Sequence, residues 1–331
     1  MVVGCGSWSR EVHLPFFATN QMATLKGVVD SDTRAVTNAL RNAFSIERVE
    51  RTIAAFDREA IDAVVISTPH STHFALALEC LRRGLHVHVD KPIALLPDQV
   101  DQLIRTAEEN AAILSTHTQR KYFPGQTTLR WYLHKYFRKI YHVSGSVRQP
   151  FLSDYTGSWR ADPAIAGGGI LMDSGYHVID TALSFLHDYG SPLQSVNVVA
   201  SNANQASDCS ASLLVKYRDT AMQINAVRGT PTCLKKEEYQ ILGDGGSVRL
   251  SNMTTGAGRY CEVQYVDPEG RNREVERPPM DSAFKYHPTQ LFLQCVQGDA
   301  KAKASVQLNV KIARNAIDIL STAYKILESS Q

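Results

Sequence analysis

Asp173 and His177 stand four residues apart, directly after the run Gly167-Gly168-Gly169. On a helix that spacing puts a carboxylate and an imidazole on one face, within side-chain reach. Such a pair handles protons near neutral pH. A plain helix start with a solvated aspartate and a core histidine accounts for the same residues, and both readings stand. Three consecutive glycines each cost about 0.5–1 kcal/mol in a regular element. They are expected where a helix begins, or where backbone must pass close to another group. Lys91 is the third group that could do chemistry. It follows His86-Val87-His88-Val89-Asp90 and precedes Pro92, which fixes the local backbone. An ammonium held there can hydrogen-bond a substrate hydroxyl and stabilise negative charge developing on that oxygen. The alternative is a loop lysine at the surface.

The elements that must position these groups begin at the first residue. Met1-Val2-Val3 reads as a strand end, followed by Gly4-Cys5-Gly6-Ser7-Trp8-Ser9 and a helix. In a dinucleotide turn the first glycine makes the bend. The second lets backbone approach a pyrophosphate, and the third position needs a small residue, here Ser9. Gly4, Gly6, Ser7 and Trp8 are therefore cofactor-binding candidates. Residues 23–30 read as a second strand ending in Asp30, where an acid binds the ribose 2′-hydroxyl of NAD; a turn residue is the alternative. Asp30 would repel a 2′-phosphate, so NAD is expected, although Ser31 and Arg34 could admit NADP. Further strands are expected at 61–69, 86–90 and 111–116, with helices at about 74–83 and 97–110. Alternating strands and helices predict a doubly wound parallel sheet. Its ligands sit at the carboxyl ends of the strands. Gly4, Asp30, the loop Ser67-Thr68-Pro69-His70 and Lys91 all fall there.

After about Gln119 the alternation stops. Strands are expected at 139–148, 195–200, 210–217, 220–227, 237–242, 247–250 and 261–266, which predicts a mostly antiparallel sheet. Gly243-Asp244-Gly245-Gly246 joins two of them as a hairpin turn. The signature helix continues to Leu186, and a final helix at about 306–327 has apolar residues at helical spacing. The expected domains are 1–118 and 119–331, an α/β Rossmann domain and a C-terminal α+β domain.

The chain of 331 residues is 44% hydrophobic and 21% charged, with formal net charge +2. That composition is globular and gives no case for nucleic acid. No apolar run reaches the roughly 20 residues that span a membrane. No basic-then-apolar leader is visible at the N-terminus, so a cytoplasmic protein is expected. Cys5, Cys80, Cys209, Cys233, Cys261 and Cys295 are scattered without a Cys-x-x-Cys pair, which predicts free thiols. His70 and His73 belong to the crevice loop, with His73 as a cap or structural contact. His86, His88 and His117 lie on or beside strands as core groups. No His-x-x-x-His or acid cluster points to a metal, and none is expected.

These motifs together resemble the Gfo/Idh/MocA oxidoreductases over most of the chain. Gly4-Cys5-Gly6 is similar to the family's nucleotide turn, and Ser67 to His73 to its Thr-Pro-x-x-x-His loop. Asp90-Lys91-Pro92 resembles its Glu-Lys-Pro motif, with Asp for Glu. Thr118-Gln119-Arg120 resembles the segment leaving the nucleotide domain. Trp159-Arg160, the glycine run, Asp173, His177 and Asp180 resemble its substrate-side signature. The resemblance implies that His177 is the base, Asp173 its partner and Lys91 the group that steadies the oxygen, as in the inositol dehydrogenase branch. It implies substrate contacts for Lys91, Asp173 and His177, and a structural or substrate-contact role for Tyr176. Cofactor contacts are implied for Ser31, Ser67, Thr68, Pro69, His70, His73, Asp90, Lys91, Gln119, Trp159 and Arg160. It also implies a sugar or cyclitol substrate and a homodimer or homotetramer formed through the C-terminal sheet. A non-catalytic nucleotide-binding sensor of the same fold is the alternative.

Overall fold

A computed structural model describes residues 1–331 except 33, 35, 38–43, 45, 47, 151–156, 187–192, 202–206, 218, 231–235, 256, 257, 280, 281, 330 and 331. Cys233 lies outside the described residues. The chain divides into two compact units. One holds Met1–Gln119 and Lys285–Arg314, the other Arg120–Phe284 and Asn315–Gln331.

The first unit is built on six parallel strands: β1 (Val2–Val3), β2 (Val28–Val29), β3 (Val49–Glu50), β4 (Ala63–Ile66), β5 (His86–Asp90) and β6 (Leu114–His117). Their order, β3-β2-β1-β4-β5-β6, is that of a dinucleotide-binding sheet, with the direction of winding reversing between β1 and β4. Val2, Val28, Val64, Ile66, Val87 and Val89 have no exposed surface, as expected for strands covered on both faces. A π-helical turn at Ser9–His13 leads into helix α1 (Leu14–Thr19); helices α2 (His73–Arg82) and α3 (Pro97–Glu109) follow.

A single cut near residue 118 does not describe the segment 285–314, which belongs to the first unit. The physical reason is its apolar face. Phe292 and Leu293 of the helix His287–Val296 form one buried cluster with Phe16, and Ala302 and Val306 another with Cys295. Arg314 closes the segment with an ion pair to Asp101 at 3.0 Å. The helix expected at 306–327 is longer and runs Ala300–Ser329.

The second unit contains helix α4 (Pro124–Tyr136), strand β7 (Ile140–Gln149), the short helix α5 (Pro163–Ala166), a π-helical turn at Leu171–Gly175 and helix α6 (Tyr176–Leu186). Seven more strands complete its sheet: β8 (Leu193–Ser201), β9 (Ser210–Tyr217), β10 (Thr220–Arg228), β11 (Lys236–Gly243), β12 (Gly246–Thr255), β13 (Gly258–Val266) and β14 (Asn272–Glu276). The order is β14-β13-β12-β11-β7-β10-β9-β8, antiparallel throughout except for the parallel pair β7 and β10. Gly243 pairs with Gly246 across the β11–β12 turn, so this glycine cluster is a hairpin. Side chains alternate between buried and exposed along β10 and β11, which gives the sheet one covered face and one open face.

Candidate active site

On the nucleotide side, the turn after β1 is fixed by close backbone approach. Gly4 has φ +92°, and a Cβ there would lie 2.3 Å from the Ser67 carbonyl oxygen at the end of β4. Only glycine fits such a position. A Cβ at Gly6 would meet nothing within 4 Å, and Gly6 and Ser7 are exposed. The turn is therefore tight at its first glycine and open at its second, as a pyrophosphate cradle requires. Asp30 ends β2 and ties this turn together. Its Oδ2 accepts from the Cys5 N–H at 2.6 Å and its Oδ1 from the Asp32 N–H at 2.8 Å. Each carboxylate oxygen retains a second acceptor site, so the turn role and a ribose contact are compatible. Ser31 is exposed beside it.

The loops after β4 and β5 are joined by His73, at the start of α2. Its Nδ1 lies 2.7 Å from the Pro92 carbonyl oxygen and its Nε2 2.8 Å from that of Thr68. Burial lowers its pKa below the usual histidine value, while the two carbonyls pull the other way. His73 is fully buried, so its part is to couple the Thr68 loop to the Lys91-Pro92 loop. The Thr72 hydroxyl donates to the Pro69 carbonyl at 2.7 Å and lies 2.7 Å from the Thr68 hydroxyl, which stiffens that loop further. His70 is buried, and Lys91 is half-buried.

Asp90 meets the His13 Nε2 at 2.9 Å. Burial works against its charge, but His13, His117 and a Ser67 hydroxyl outweigh it and hold the carboxyl well below the usual range. His117 and His88, both buried, lie beside this pair: His88 Nε2 is 3.1 Å from His117 Nδ1, and His88 Nδ1 is 3.0 Å from the Ser115 hydroxyl. Burial and the neighbouring His13 pull His117 down to about 3. Trp8 sets its ring edge-on to His117 at 5.9 Å. Sequence reasoning treated His88 and His117 singly as core groups. It missed His13, whose arrival from the turn after β1 makes a cluster.

In the second unit, the glycine run packs against the chain's own backbone and side chains. Gly167 caps α5 in the left-handed conformation. A Cβ on Gly168 would lie 2.3 Å from the Tyr324 ring, and one on Gly169 2.1 Å from the Asp208 carbonyl oxygen. What passes close to the glycines is the protein itself. Asp208 Oδ1 accepts from the Gly169 N–H at 2.8 Å, Oδ2 from the Leu171 N–H at 2.9 Å, and the Asp208 carbonyl from the Ile170 N–H at 2.8 Å. These are helix-start donors that would otherwise lack partners. Neither Asp208 nor Tyr324 carries a local sequence signal for this role.

The helix start so held presents Asp173 in the π-helical turn, half-buried, and His177 in the first turn of α6, 4% exposed. Their spacing thus crosses a change of helical pitch instead of following a plain α-helix. Tyr176 has no exposed surface and sets its ring edge-on to His177 at 6.1 Å. Its phenol ring is buried beside the imidazole, away from solvent. Asp180, one turn on, pairs with Lys121 at 3.0 Å, both buried. Desolvation pushes Asp180 up and Lys121 down, and their mutual attraction opposes both shifts. Arg120 pairs with Glu237 at 2.5 Å, and the Tyr239 hydroxyl donates to Glu237 at 2.7 Å. Gln119 is buried at the end of the first unit. Trp159 and Arg160 lie in a short 3-10 turn, with the guanidinium 4.5 Å over the indole.

Among the described residues no helix is long and apolar enough to cross a membrane. Residues 1–118 match a family model described as "Oxidoreductase family, NAD-binding Rossmann fold", and residues 136–249 match the "GFO/IDH/MocA C-terminal domain". The chain is 22% identical over 297 residues to "Oxidoreductase P35" of Formosa agariphila, covering 86% of this chain and 89% of that one. It is 25% identical over 207 residues to the scyllo-inositol 2-dehydrogenase (NADP(+)) of Bacillus subtilis, covering 61% and 55%. A crystal structure of a 3-ketoreductase from Actinomadura kijaniata, in complex with NADP and TDP-benzene, has the same fold, with TM-score 0.80 at 19% identity over 97% of this chain and 96% of that one. A nucleotide turn on a six-stranded parallel sheet, an Asp-Lys-Pro loop and an eight-stranded open sheet are thus matched along both units, and the chain belongs to the GFO/IDH/MocA oxidoreductases, with an NAD-binding Rossmann domain at residues 1–118.

Proposed function

We propose that this chain is a nicotinamide-dependent dehydrogenase or reductase acting on a hydroxyl-bearing or keto carbon of a sugar, cyclitol or sugar derivative, with NAD as the preferred cofactor. One observation carries the reading: the same chain holds an open dinucleotide turn at Gly6 and a buried imidazole, His177, on a helix start held by its own clamp. Gly4, Gly6, Ser7 and Asp30 would hold the dinucleotide, with Asp30 on the adenosine ribose. The nicotinamide, when bound, supplies the acceptor or donor for the hydride. His177 takes the proton of the substrate hydroxyl during oxidation and returns it during reduction. Asp173 orients the imidazole or binds a neighbouring hydroxyl. Lys91, steadied by Pro92, donates a hydrogen bond to the oxygen whose charge changes. The relative named for scyllo-inositol supports a cyclitol or sugar as substrate. We assign the open sheet face to a homodimer or homotetramer, because Val199 and Leu214 are 75% and 55% exposed on it.

The test is direct. Purified full-length chain is given NAD or NADP with cyclitols, free sugars and nucleotide-linked sugars, and the absorbance of reduced nicotinamide is followed. Turnover of one of these classes is expected, with tighter binding of NAD. Nucleotide binding without turnover of any class would establish a sensor instead. Tighter NADP binding would overturn the cofactor preference.

A further inference from the structure

The first unit contains a group of donors that the reaction above does not use. His13, Asp90 and His117 come from the π-helical turn after β1, the end of β5 and the end of β6. One ligand atom from each lies within 4.8 Å of the other two. His13 and His117 are buried, and the Asp90 side chain is 13% exposed, which leaves one edge of the group open to solvent. His88 and Thr289 hold His117 from behind, with the His117 Nδ1 3.1 Å from His88 Nε2 and 3.3 Å from the Thr289 hydroxyl. His88 is in turn fixed by the Ser115 hydroxyl at 3.0 Å. That leaves His117 Nε2, a buried nitrogen that meets no hydrogen-bonding partner among the described residues.

We propose that His13, Asp90 and His117 form a binding site for a divalent transition-metal ion of the zinc class, with His88 and Thr289 orienting His117 behind it. Two imidazoles and one carboxylate are a recognised ligand set for such ions, and three protein ligands leave one position for water. A ligating histidine ordinarily engages its other ring nitrogen in a hydrogen bond that sets its orientation, as His117 Nδ1 does with His88. Neighbouring ligands of a tetrahedral zinc ion stand roughly 3.3 Å apart, given metal–ligand distances of about 2.0–2.1 Å. His13 Nε2 and Asp90 Oδ1, at 2.9 Å, are near that spacing. The widest pair closes by on the order of 1 Å when the ion enters. Ions of the calcium class do not fit, since they demand six or more oxygen ligands. The proposal does not depend on the substrate or on turnover.

The probes are Zn²⁺ and Co²⁺ alone, added to full-length chain that has been dialysed against a chelator. Equilibrium dialysis should show one tight equivalent of Zn²⁺ per chain. Co²⁺ should bind in its place with the visible bands of a four-coordinate ion, and should quench fluorescence that Trp8→Phe removes, because Trp8 touches His117. His13→Gln and His117→Gln should each weaken binding at least a hundredfold, and His88→Gln about tenfold, in the range of an outer-shell loss. His13→Gln and His88→Gln keep the test open should His117→Gln fail to fold. Absence of a stoichiometric equivalent in the unmodified chain overturns the proposal. So does Co²⁺ binding without quenching of Trp8, or Zn²⁺ binding unchanged in folded His13→Gln, since either locates the ion at other histidines.

Discussion

The Tyr324 hydroxyl donates a hydrogen bond to Asp208 Oδ1 over 2.8 Å, and the two side chains together hold the start of the helix that carries Asp173 and His177. The same hydroxyl accepts from the Gly169 N–H at 3.0 Å and the Met172 N–H at 3.2 Å. Burial and the adjacent carboxylate push the phenol well above its ordinary pKa, so it remains a donor across the accessible pH range. Tyr324→Phe removes all three bonds without removing the ring. The Gly169 N–H keeps Asp208 Oδ1 as its acceptor, so the loss falls on the Met172 N–H, and a buried donor left unmet costs about 1–3 kcal/mol. Urea unfolding of Tyr324→Phe should therefore show a lower midpoint, and kcat should fall because Asp173 and His177, the groups proposed to handle the proton, ride on the loosened turn. An unchanged midpoint together with an unchanged kcat would remove the clamp from the account.

Glycines in the two motifs should separate stability from cofactor binding. Gly169→Ala places a methyl against the Asp208 backbone, at 2.1 Å, where no flexible side chain can yield. It should destabilise by more than about 2 kcal/mol, in the range of overpacking and strain. Gly6→Ala meets nothing within 4 Å. Its folded stability should stay within about 0.5–1 kcal/mol of the parent, while its KM for the nicotinamide cofactor rises through the methyl facing the pyrophosphate. Thermal unfolding and cofactor titration of both variants check the contrast.

The fold was largely legible because its signals are local. Alternating side chains mark β10 and β11, and Val64–Ile66 reads as a strand buried on both faces. Gly4-x-Gly6 with Asp30 marks the end of a dinucleotide sheet. The clamp was not legible because it is not local: Gly169 meets Asp208 and Tyr324 only after residues far apart in sequence have converged. The glycine run therefore announced close packing but not its partners, Asp208 and Tyr324. The same holds for His13. Nothing near it in sequence indicates that the π-helical turn directs it at Asp90. The segment 285–314 was assigned by its position in the chain, whereas its unit is decided by Phe292 and Leu293 packing on Phe16.

Acidification should destabilise the first unit. Burial lowers the pKa of His73 in the folded chain, whereas an unfolded histidine titrates near 6.5. Below about pH 6.5 the unfolded chain binds a proton that folded His73 does not, so stability rises with pH in that window and falls as acid is added. The slope per such group is at most about 1.4 kcal/mol per pH unit. His88 and His117 are lowered for the same first reason and act in the same sense. Denaturant midpoints measured with a chelator present should fall between pH 7 and pH 5 (values set by the unperturbed histidine pKa). His73→Gln should remove part of that slope. A midpoint that rises on acidification would mean that the Pro92 and Thr68 carbonyls favour the imidazolium enough to reverse the sign.

Replacement of the proposed base and its assistant should act on turnover more than on binding. His177→Ala should lower kcat by about 10²–10⁴-fold, the usual contribution of a positioned acid–base group. Lys91→Met should lower kcat by about 10²–10³-fold, as loss of one charge-stabilising donor does. Neither residue lies in the glycine turn, so the dissociation constant for the cofactor measured by fluorescence should change less than tenfold in His177→Ala. A cofactor affinity lost in parallel with kcat would assign His177 to the nucleotide instead. Turnover unchanged in His177→Ala would end its assignment as the base.

The buried pair Lys121–Asp180 should behave as a unit. Asp180 lies one turn beyond His177 on α6, and its partner comes from the 3-10 turn Gln119–Tyr122 at the start of the second unit. Removing one member strands the other charge away from water, which costs about 3–5 kcal/mol. Lys121→Met and Asp180→Leu should therefore each lower the unfolding free energy by that amount. The double variant exchanges the pair for apolar side chains of similar bulk and should recover much of the loss, because no charge remains to be solvated. Urea unfolding of the three variants closes the cycle and gives the coupling directly. The kinetic outcome differs from the thermodynamic one. If the pair serves to hold α6 in register, the double variant regains stability but not kcat, since an apolar side chain in place of Asp180 cannot fix the helix through an ion pair. Recovery of both together would show that packing alone seats His177.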